Sequence, residues 1–280
     1  MFICVLIFWG LGPHGKGRTR HAPDADGVIQ TMTYEHVLIV GGGPAGAACA
    51  WALRRHGCEV LILDRAAFPR PKLCAGWITP DIWEDLACDA TDYPYGLTTI
   101  RHLVLSGWGV HVRLPARQLA IRRIEFDHWL LRRSGARVIT HHVRDIAQRV
   151  GGYVVDGSFF GRYLVGAGGT HCPVARAYFT DVNPRSPDAL IVTQEEEFSY
   201  PYRRASRGWR ERQLRVDNAF VVGDAAGLAT ADMGEGIAPA VRSGLLVADA
   251  IATGSSIDVQ KIRRWSQPPL IARLLARAYG

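Results

Sequence analysis

The chain has 280 residues, 48% of them hydrophobic and 21% charged, which suffices for one large or two modest globular domains and argues against a disordered chain. A net charge of +7 would permit contact with nucleic acid or an anionic membrane. The basic residues are scattered, however, with only a modest concentration from Lys261 to Arg277, so no nucleic-acid partner is expected. The six cysteines (Cys4, Cys49, Cys58, Cys74, Cys88 and Cys172) include no CxxC pair and have no histidines at zinc-ligand spacing. That argues against a metal site and, at this chain length, against a disulfide framework, leaving a reduced cytoplasmic compartment as the expectation.

Met1 to Gly12 is apolar but short for a bilayer span, and it lacks the basic residues that open a signal peptide. A stretch rich in Gly, Pro and charge follows, and Met32 offers an alternative start. Residues 1–31 are therefore expected to be a disordered or spurious leader outside the fold.

His36 to Val40 is a short apolar run ended by three glycines, as a buried strand requires. Pro44 to His56 reads as a helix, with Pro tolerated in its first turn and Gly57 as its stop. Glu59 to Leu63 is a second buried strand ending at Asp64, and the resulting β–α–β crossover implies parallel pairing. A loop punctuated by Pro69, Pro71, Gly76 and Pro80 comes next. Leu103 to Leu114 alternates like a half-buried antiparallel strand. Phe126 to Ser134 is a short helix stopped by Gly135, with a strand from Arg137 to His141. Tyr153–Val155 and Tyr163–Val165 suggest a hairpin. Tyr200 to Arg215 is a basic, strand-poor link, Ala219 to Val222 a buried strand, and Ile237 to Thr253 a helix.

Gly41-Gly42-Gly43-Pro44-Ala45-Gly46 fits GxGxxG between a strand and a helix. Gly41 permits the tight turn, Gly43 lets a pyrophosphate approach the backbone, and Gly46 allows close helix–strand packing. Asp64 lies 18 residues beyond Gly46, where a carboxylate can bind the adenosine ribose hydroxyls. That unit alone does not separate NAD from FAD. The discriminator is Gly223-Asp224-Ala225-Ala226-Gly227, followed by Gly234-Glu235-Gly236-Ile237, a second glycine turn that an NAD-dependent dehydrogenase does not need. Asp224 either binds ribityl hydroxyls or caps its turn, and the amides near Gly236 and Ile237 could face the flavin pyrimidine edge.

With these motifs in place, the chain resembles the geranylgeranyl reductase family of FAD-dependent oxidoreductases, within the larger aromatic hydroxylase-like group. The resemblance is carried by HVLIVGGGPAG, LILDR, PRPKLCAGWITP, RRIEFDHWLLRRSGARV, YLVGAGGTHCPVAR and FVVGDAAGLATADMGEGIAPAVRSG. It implies that Ala45, Asp64 and Arg65 lie at the adenosine diphosphate half of FAD, and Cys74 and Ala75 near the flavin. Arg123 would bind the cofactor, and Gly223, Asp224, Gly236 and Ile237 would hold the ribityl–isoalloxazine end. Cys74 either donates a proton, shields the ring or simply packs; Arg123 is either a flavin contact or a surface charge. The implied reaction is reduction of isolated C=C bonds of a prenyl lipid or related small molecule. NAD(P)H or reduced ferredoxin would be the electron donor, and the basic tail a peripheral contact at the inner membrane face.

Two departures from the family pattern stand out. Gly166-Ala167-Gly168-Gly169 lacks the Asp-Gly of the hydroxylase branch, and the segment from Phe198 to Val216 is short where relatives carry substrate-binding strands. The expected architecture is α/β: a Rossmann-like FAD-binding domain (residues 32–90, 115–180 and 216–256), a reduced antiparallel substrate domain (91–114 and 181–215) and a basic tail (257–280). The rivals are a flavin-binding remnant or interaction protein without turnover, and a monooxygenase-like enzyme.

Overall fold

The computed structural model describes residues 2–6, 20–23, 29–107, 110–183, 190–195, 198–203, 213–228 and 236–263. In chain order the elements are β1 (Phe2–Leu6), β2 (Arg20–Pro23), β3 (Ile29–Val40), α1 (Pro44–Arg55), β4 (Val60–Asp64), β5 (Trp77–Ile78) and α2 (Ile82–Asp85). There follow β6 (Thr98–Gly107), β7 (Val110–Ala120), α3 (Arg123–Arg133), β8 (Arg137–Thr140), β9 (Ile146–Arg149), β10 (Gly152–Val155), β11 (Phe159–Gly166) and α4 (Pro173–Tyr178). The remainder are β12 (Leu190–Glu195), β13 (Phe198–Arg203), β14 (Arg215–Val216), β15 (Ala219–Gly223), α5 (Ile237–Thr253) and α6 (Gln260–Arg263).

The centre is a parallel sheet in the order β15-β11-β3-β4-β8. Its strands are apolar throughout because both faces are covered. On one face Val37, Ile39, Val60, Ile62 and Phe220 pack under α1, α3 and α5; on the other Leu38, Val40, Leu61, Leu63 and Val221 meet Tyr153, Val155, Val174 and Phe179. Strand order reverses at β3, since β4 lies on one side of it and β11 on the other. In open α/β sheets this reversal opens a crevice at the carboxyl ends of the strands, where ligands bind.

The mostly small residues of α1 let α5 approach closely. A Cβ added at Gly244 would stand 2.8 Å from the Ala45 carbonyl oxygen and 3.3 Å from the Cys49 nitrogen. We expect Gly244→Val to push the helices apart and cost about 1–3 kcal/mol, as overpacking does. Urea unfolding measures this, and an unchanged midpoint would contradict the packing.

The two small antiparallel sheets are β5-β7-β6 and the hairpin β12-β13. Four expectations change here. The strand expected from Leu103 to Leu114 is two strands, β6 and β7, paired antiparallel from Gly107↔Val110 outward. The link from Tyr200 to Arg215, expected to be strand-poor, begins with the last residues of β13, which pairs with β12 from Leu190↔Arg203 to Glu195↔Phe198. The leader, where described, pairs with the fold: the apolar run of β1 lies antiparallel to β15, and β2 to the start of β3. The hairpin expected from Tyr153–Val155 and Tyr163–Val165 instead pairs Tyr153–Val155 with Phe159–Gly161 at the start of β11, and Tyr163–Gly166 pairs parallel with β3 in the central sheet.

The β8–β9 connection is anchored by Asp156, whose carboxylate accepts the Asp145 N–H at 2.7 Å and the Arg144 N–H at 3.1 Å and meets His141 Nε2 at 2.7 Å. Partial burial alone would raise its pKa, but these donors hold it below the ordinary Asp range. A depressed carboxylate contributes stability above its unfolded pKa, and that contribution is lost as pH falls through the folded value. Asp156→Asn should therefore lower stability by about 1–2 kcal/mol at neutral pH and by less in acid. Urea melts near pH 7 and pH 3 test this, and an equal loss at both would remove the charge from the account.

Candidate functional site

The parallel strands deliver their turns to one edge. Val40 ends β3 beside Gly166 of β11, and Val165 is in register with both Ile39 and Phe220. The glycine turn after β3 and the turn after β15 thus open on the same side, with only β11 between them. The two segments, more than 170 residues apart in the chain, share one crevice.

Gly41 adopts φ +111, and a Cβ there would overlap the Ala167 backbone; one at Gly46 would overlap the Gly41 carbonyl oxygen and stand 2.9 Å from the Ala167 Cβ. The strand, the turn and the helix are therefore drawn together around Ala167. Gly43 is the residue before α1. No side chain caps this helix, and its first turn holds no acidic residue, so the positive end of the helix dipole meets no negative side chain from its own turn.

Asp64 is buried at the end of β4. Its Oδ2 accepts the Gly42 N–H at 2.7 Å, its Oδ1 accepts the Ala66 N–H at 3.0 Å, and Arg70 Nη2 lies 3.7 Å away. The carboxylate thus ties the first turn to the end of β4, and with up to four acceptor directions it can still receive a hydroxyl. Arg65 is exposed.

The proline-rich loop returns to the site through Gly76, whose carbonyl accepts the Ile121 N–H at 2.9 Å just before α3. Cys74 and Ala75 are exposed, and the Cys74 sulfur accepts the Gly76 N–H at 3.4 Å. Arg123, by contrast, is no surface charge. Its guanidinium is buried and donates to both Asp127 carboxylate oxygens, Nε to Oδ1 at 2.7 Å and Nη2 to Oδ2 at 2.8 Å, while also bonding the Cys74 thiol. Burial opposes its charge, but Asp127 and Cys74 more than offset that, so it stays protonated.

Gly223 closes β15 with its N–H bound to Ser243 Oγ at 2.7 Å, which fixes the second turn to α5. Asp224 is buried, and a Cβ on Gly236 would stand 2.9 Å from its Oδ1, so Asp224, Gly236 and the first residue of α5, Ile237, are neighbours. Residues 229–235, including Gly234 and Glu235, lie outside the described residues. Buried Arg242 then ties α5 to the far end of the loop, bonding Asp81 at 2.6 Å and Asp85 at 2.7 Å.

Lys72 escaped the motif reading. It is half-buried in the loop, and its ammonium feels Arg123 and Arg70 on one side and Asp224 and Cys74 on the other. Burial and the two arginines push its pKa down to about 7. The sequence signal available was its place two residues before Cys74, but a lysine among prolines reads as a solvated loop residue. A cleft of about 280 Å³ lined by Pro69, Tyr95, Arg122, Ile124, Glu125 and His128 contains none of the anticipated residues.

Residues 39–71 match the model of the NAD(P)-binding Rossmann-like domain. The chain is 35% identical over 99 residues to digeranylgeranylglycerophospholipid reductase 2 of Methanopyrus kandleri, covering 35% of this chain and 25% of that protein. It is 35% identical over 167 residues to menaquinone reductase of Mycobacterium tuberculosis, covering 50% and 39% respectively. The resemblance to geranylgeranyl reductases stands. A solved structure of a geranylgeranyl bacteriochlorophyll reductase-like protein from Thermoplasma acidophilum superposes with TM-score 0.56, covering 88% of this chain and 83% of that one at 15% identity, a likeness of fold. The chain matches only a quarter to two fifths of the length of the two curated reductases.

Among the described residues no helix is long and apolar enough to cross a membrane, and no cluster of three metal-ligating side chains occurs. Residues 264–280, most of the basic tail, lie outside the described residues.

Proposed function

We propose that the chain binds FAD and acts as a reductase of the geranylgeranyl reductase type on a prenyl lipid. The observation that carries this reading is the shared crevice: two glycine turns, after β3 and β15, open on one sheet edge at the strand-order reversal. The donor set suits a flavin dinucleotide. An uncapped helix N-terminus at Gly43–Ala45 suits a pyrophosphate, Asp64 and Asp224 offer carboxylates to ribose-like hydroxyls at either end, and Gly236 and Ile237 start a 17-residue helix beside Asp224.

FAD, if bound and reduced by NAD(P)H or reduced ferredoxin, would supply hydride to an isolated C=C bond. The chain's own residues bind and orient. Asp64 holds the first turn in shape, Arg123 braces the Cys74–Ala75 loop against α3, and Ser243 fixes the second turn. Residues 32–90, 115–180 and 216–256 make up the cofactor-holding unit, and 91–114 with 181–215 the smaller substrate-side unit. The working place is the cytoplasmic face of a membrane, where prenyl lipids are reached from water.

A second reading, cofactor binding without turnover, is favoured by the short span from β12 to β15, whose described residues form the β12–β13 hairpin and the two-residue β14. With little to roof the cofactor, water exclusion and substrate orientation weaken. The deciding experiment loads the purified chain with FAD, reduces it anaerobically and adds a prenyl acceptor. Reoxidation with a saturated product supports the reductase; a stable reduced flavin supports the second reading; failure to retain FAD removes both.

A further inference from the structure

The cleft of about 280 Å³ along α3 brings together Pro69, Tyr95, Arg122, Glu125 and His128. It adjoins the first glycine turn. A Cβ added at Gly42 would stand 3.2 Å from the Phe68 ring, and the next residue, Pro69, lines the cleft. Tyr95 is 41% exposed, and its ring meets that of Tyr93 edge-on, with centroids 5.5 Å apart. Tyr93 in turn meets Trp129 at 5.3 Å and Phe126 at 6.0 Å, so an aromatic cluster anchored on α3 backs the exposed ring. Two polar atoms here are buried and have no hydrogen-bond partner among the described residues, His128 Nδ1 and the Tyr93 hydroxyl. The charged and titratable groups acting on that hydroxyl are Glu125, Tyr95, Asp127 and Arg122, and all but Asp127 line the cleft. Buried polar atoms are nearly always paired, so two orphans at one cleft point to a ligand that supplies their partners.

We propose that this cleft, outside the crevice given to FAD, seats the adenine ring of the nicotinamide nucleotide that reduces the flavin. This rests on the FAD reading and decides within it for a nucleotide donor over a protein one. The volume lies at the lower limit of the roughly 300–1,000 Å³ typical of small-molecule sites, which suits one ring system and leaves the rest of a dinucleotide outside. Tyr95 and Pro69 offer faces on which a base stacks. An adenine edge carries an amine beside a ring nitrogen. The amine donates to the Glu125 carboxylate, and the ring nitrogen accepts from the Tyr93 hydroxyl or from His128 Nδ1 in the tautomer that bears its proton there. Arg122 is 75% exposed and its 2.7 Å bond to Glu125 is a surface pair of little worth, so the guanidinium is available to a phosphate. A docked ferredoxin would leave both buried atoms unpaired. The electron step is the passage of one hydride from dihydronicotinamide to oxidised flavin, and the cleft contributes binding alone.

The test uses the FAD-loaded full chain, with 5′-AMP as a probe that cannot reduce the flavin and NADH or NADPH as the donor. Calorimetric titration should show AMP binding to wild type, and Tyr95→Ala and His128→Ala should each weaken it at least about fivefold, the smaller effect of losing a partner of a stacked base. Tyr95 is exposed enough for its replacement to leave the fold and the FAD content as in wild type. In anaerobic stopped-flow reduction the same variants should raise the nucleotide concentration needed for half-maximal rate by the same factor, while dithionite reduces all three proteins alike. AMP that binds wild type and both variants equally, or binds none of them, would overturn the cleft as a nucleotide site. Weakened AMP binding with an unchanged dependence on the donor, or reduction by neither nucleotide, would overturn its role as the donor's seat. If the chain holds no FAD, the FAD reading and the donor role fall together, and AMP binding that Tyr95→Ala weakens would still leave the cleft a nucleotide site.

Discussion

Gly41→Ala is expected to destabilise the protein by about 3–5 kcal/mol, summing the strain of a side chain at positive φ with an overlap the core cannot absorb. The residue sits at φ +111, and the added methyl would fall on the carbonyl group of Ala167, backbone at the end of β11. Neither partner can step aside. Gly41 donates its N–H to the Leu63 carbonyl at 2.7 Å, and Ala167 is bonded through its own N–H to Val40, so relief at one strand breaks pairing at another. A loss of that size is a large share of the roughly 5–15 kcal/mol that holds a typical domain. Gly57→Ala is the control, because Gly57 has φ +77 with open space where its Cβ would go. It should cost only about 1 kcal/mol, from the backbone alone. Urea unfolding of the two variants separates conformational strain from overlap, and similar losses in both would show that the β3 turn is looser than described.

The same geometry explains how much of the fold could be read in advance. The runs at Val37–Val40, Leu61–Leu63 and Ala219–Val222 were recognisable because both sheet faces are covered, which forces unbroken apolar strands. Glycines follow two of these runs, Gly41 after Val40 and Gly223 after Val222, while Asp64 follows the third. Strand boundaries are hidden where periodicity carries no punctuation. From Leu103 to Leu114 the apolar alternation runs on from β6 into β7, so two antiparallel strands read as one. In the basic link, β13 gains its hydrogen bonds from β12, and a tertiary partner of that kind leaves little trace in local propensity.

The site was half legible for a related reason. Gly41, Gly46 and Asp64 act through their own turn, and their spacing announces them. Lys72 is set by burial and by charges that include Arg123, 51 positions later, and Asp224, 152 positions later, none of which local spacing announces. Arg123 reads from the sequence as either a cofactor contact or a surface charge, and its buried ion pair with Asp127 at i+4 excludes the surface charge. That spacing puts the two on one helix face, with Ile124 and Phe126 between them in the sequence.

Asp127→Ala is expected to cost about 3–5 kcal/mol, the penalty for leaving a buried charge without its counter-ion. Asp127 is fully buried and the Arg123 side chain is only 4% exposed, so water cannot replace the lost carboxylate. The Cys74 thiol remains as a partner, yet a neutral sulfur is a weak substitute for two charge-assisted bonds. Replacing both charges together should behave differently. Arg123→Met with Asp127→Leu removes the need for compensation and fills the space, and such exchanges are often neutral or stabilising. That double variant therefore separates the two roles of Arg123. Thermal unfolding should place it near wild type and well above Asp127→Ala. If Arg123 also touches the cofactor, the well-folded double variant should bind FAD at least tenfold more weakly, which fluorescence titration measures directly. A double variant that is stable and binds FAD like wild type would confine Arg123 to bracing α3 against the Cys74 loop. A double variant as unstable as Asp127→Ala would mean that the pair holds the loop in place through geometry that apolar side chains cannot reproduce.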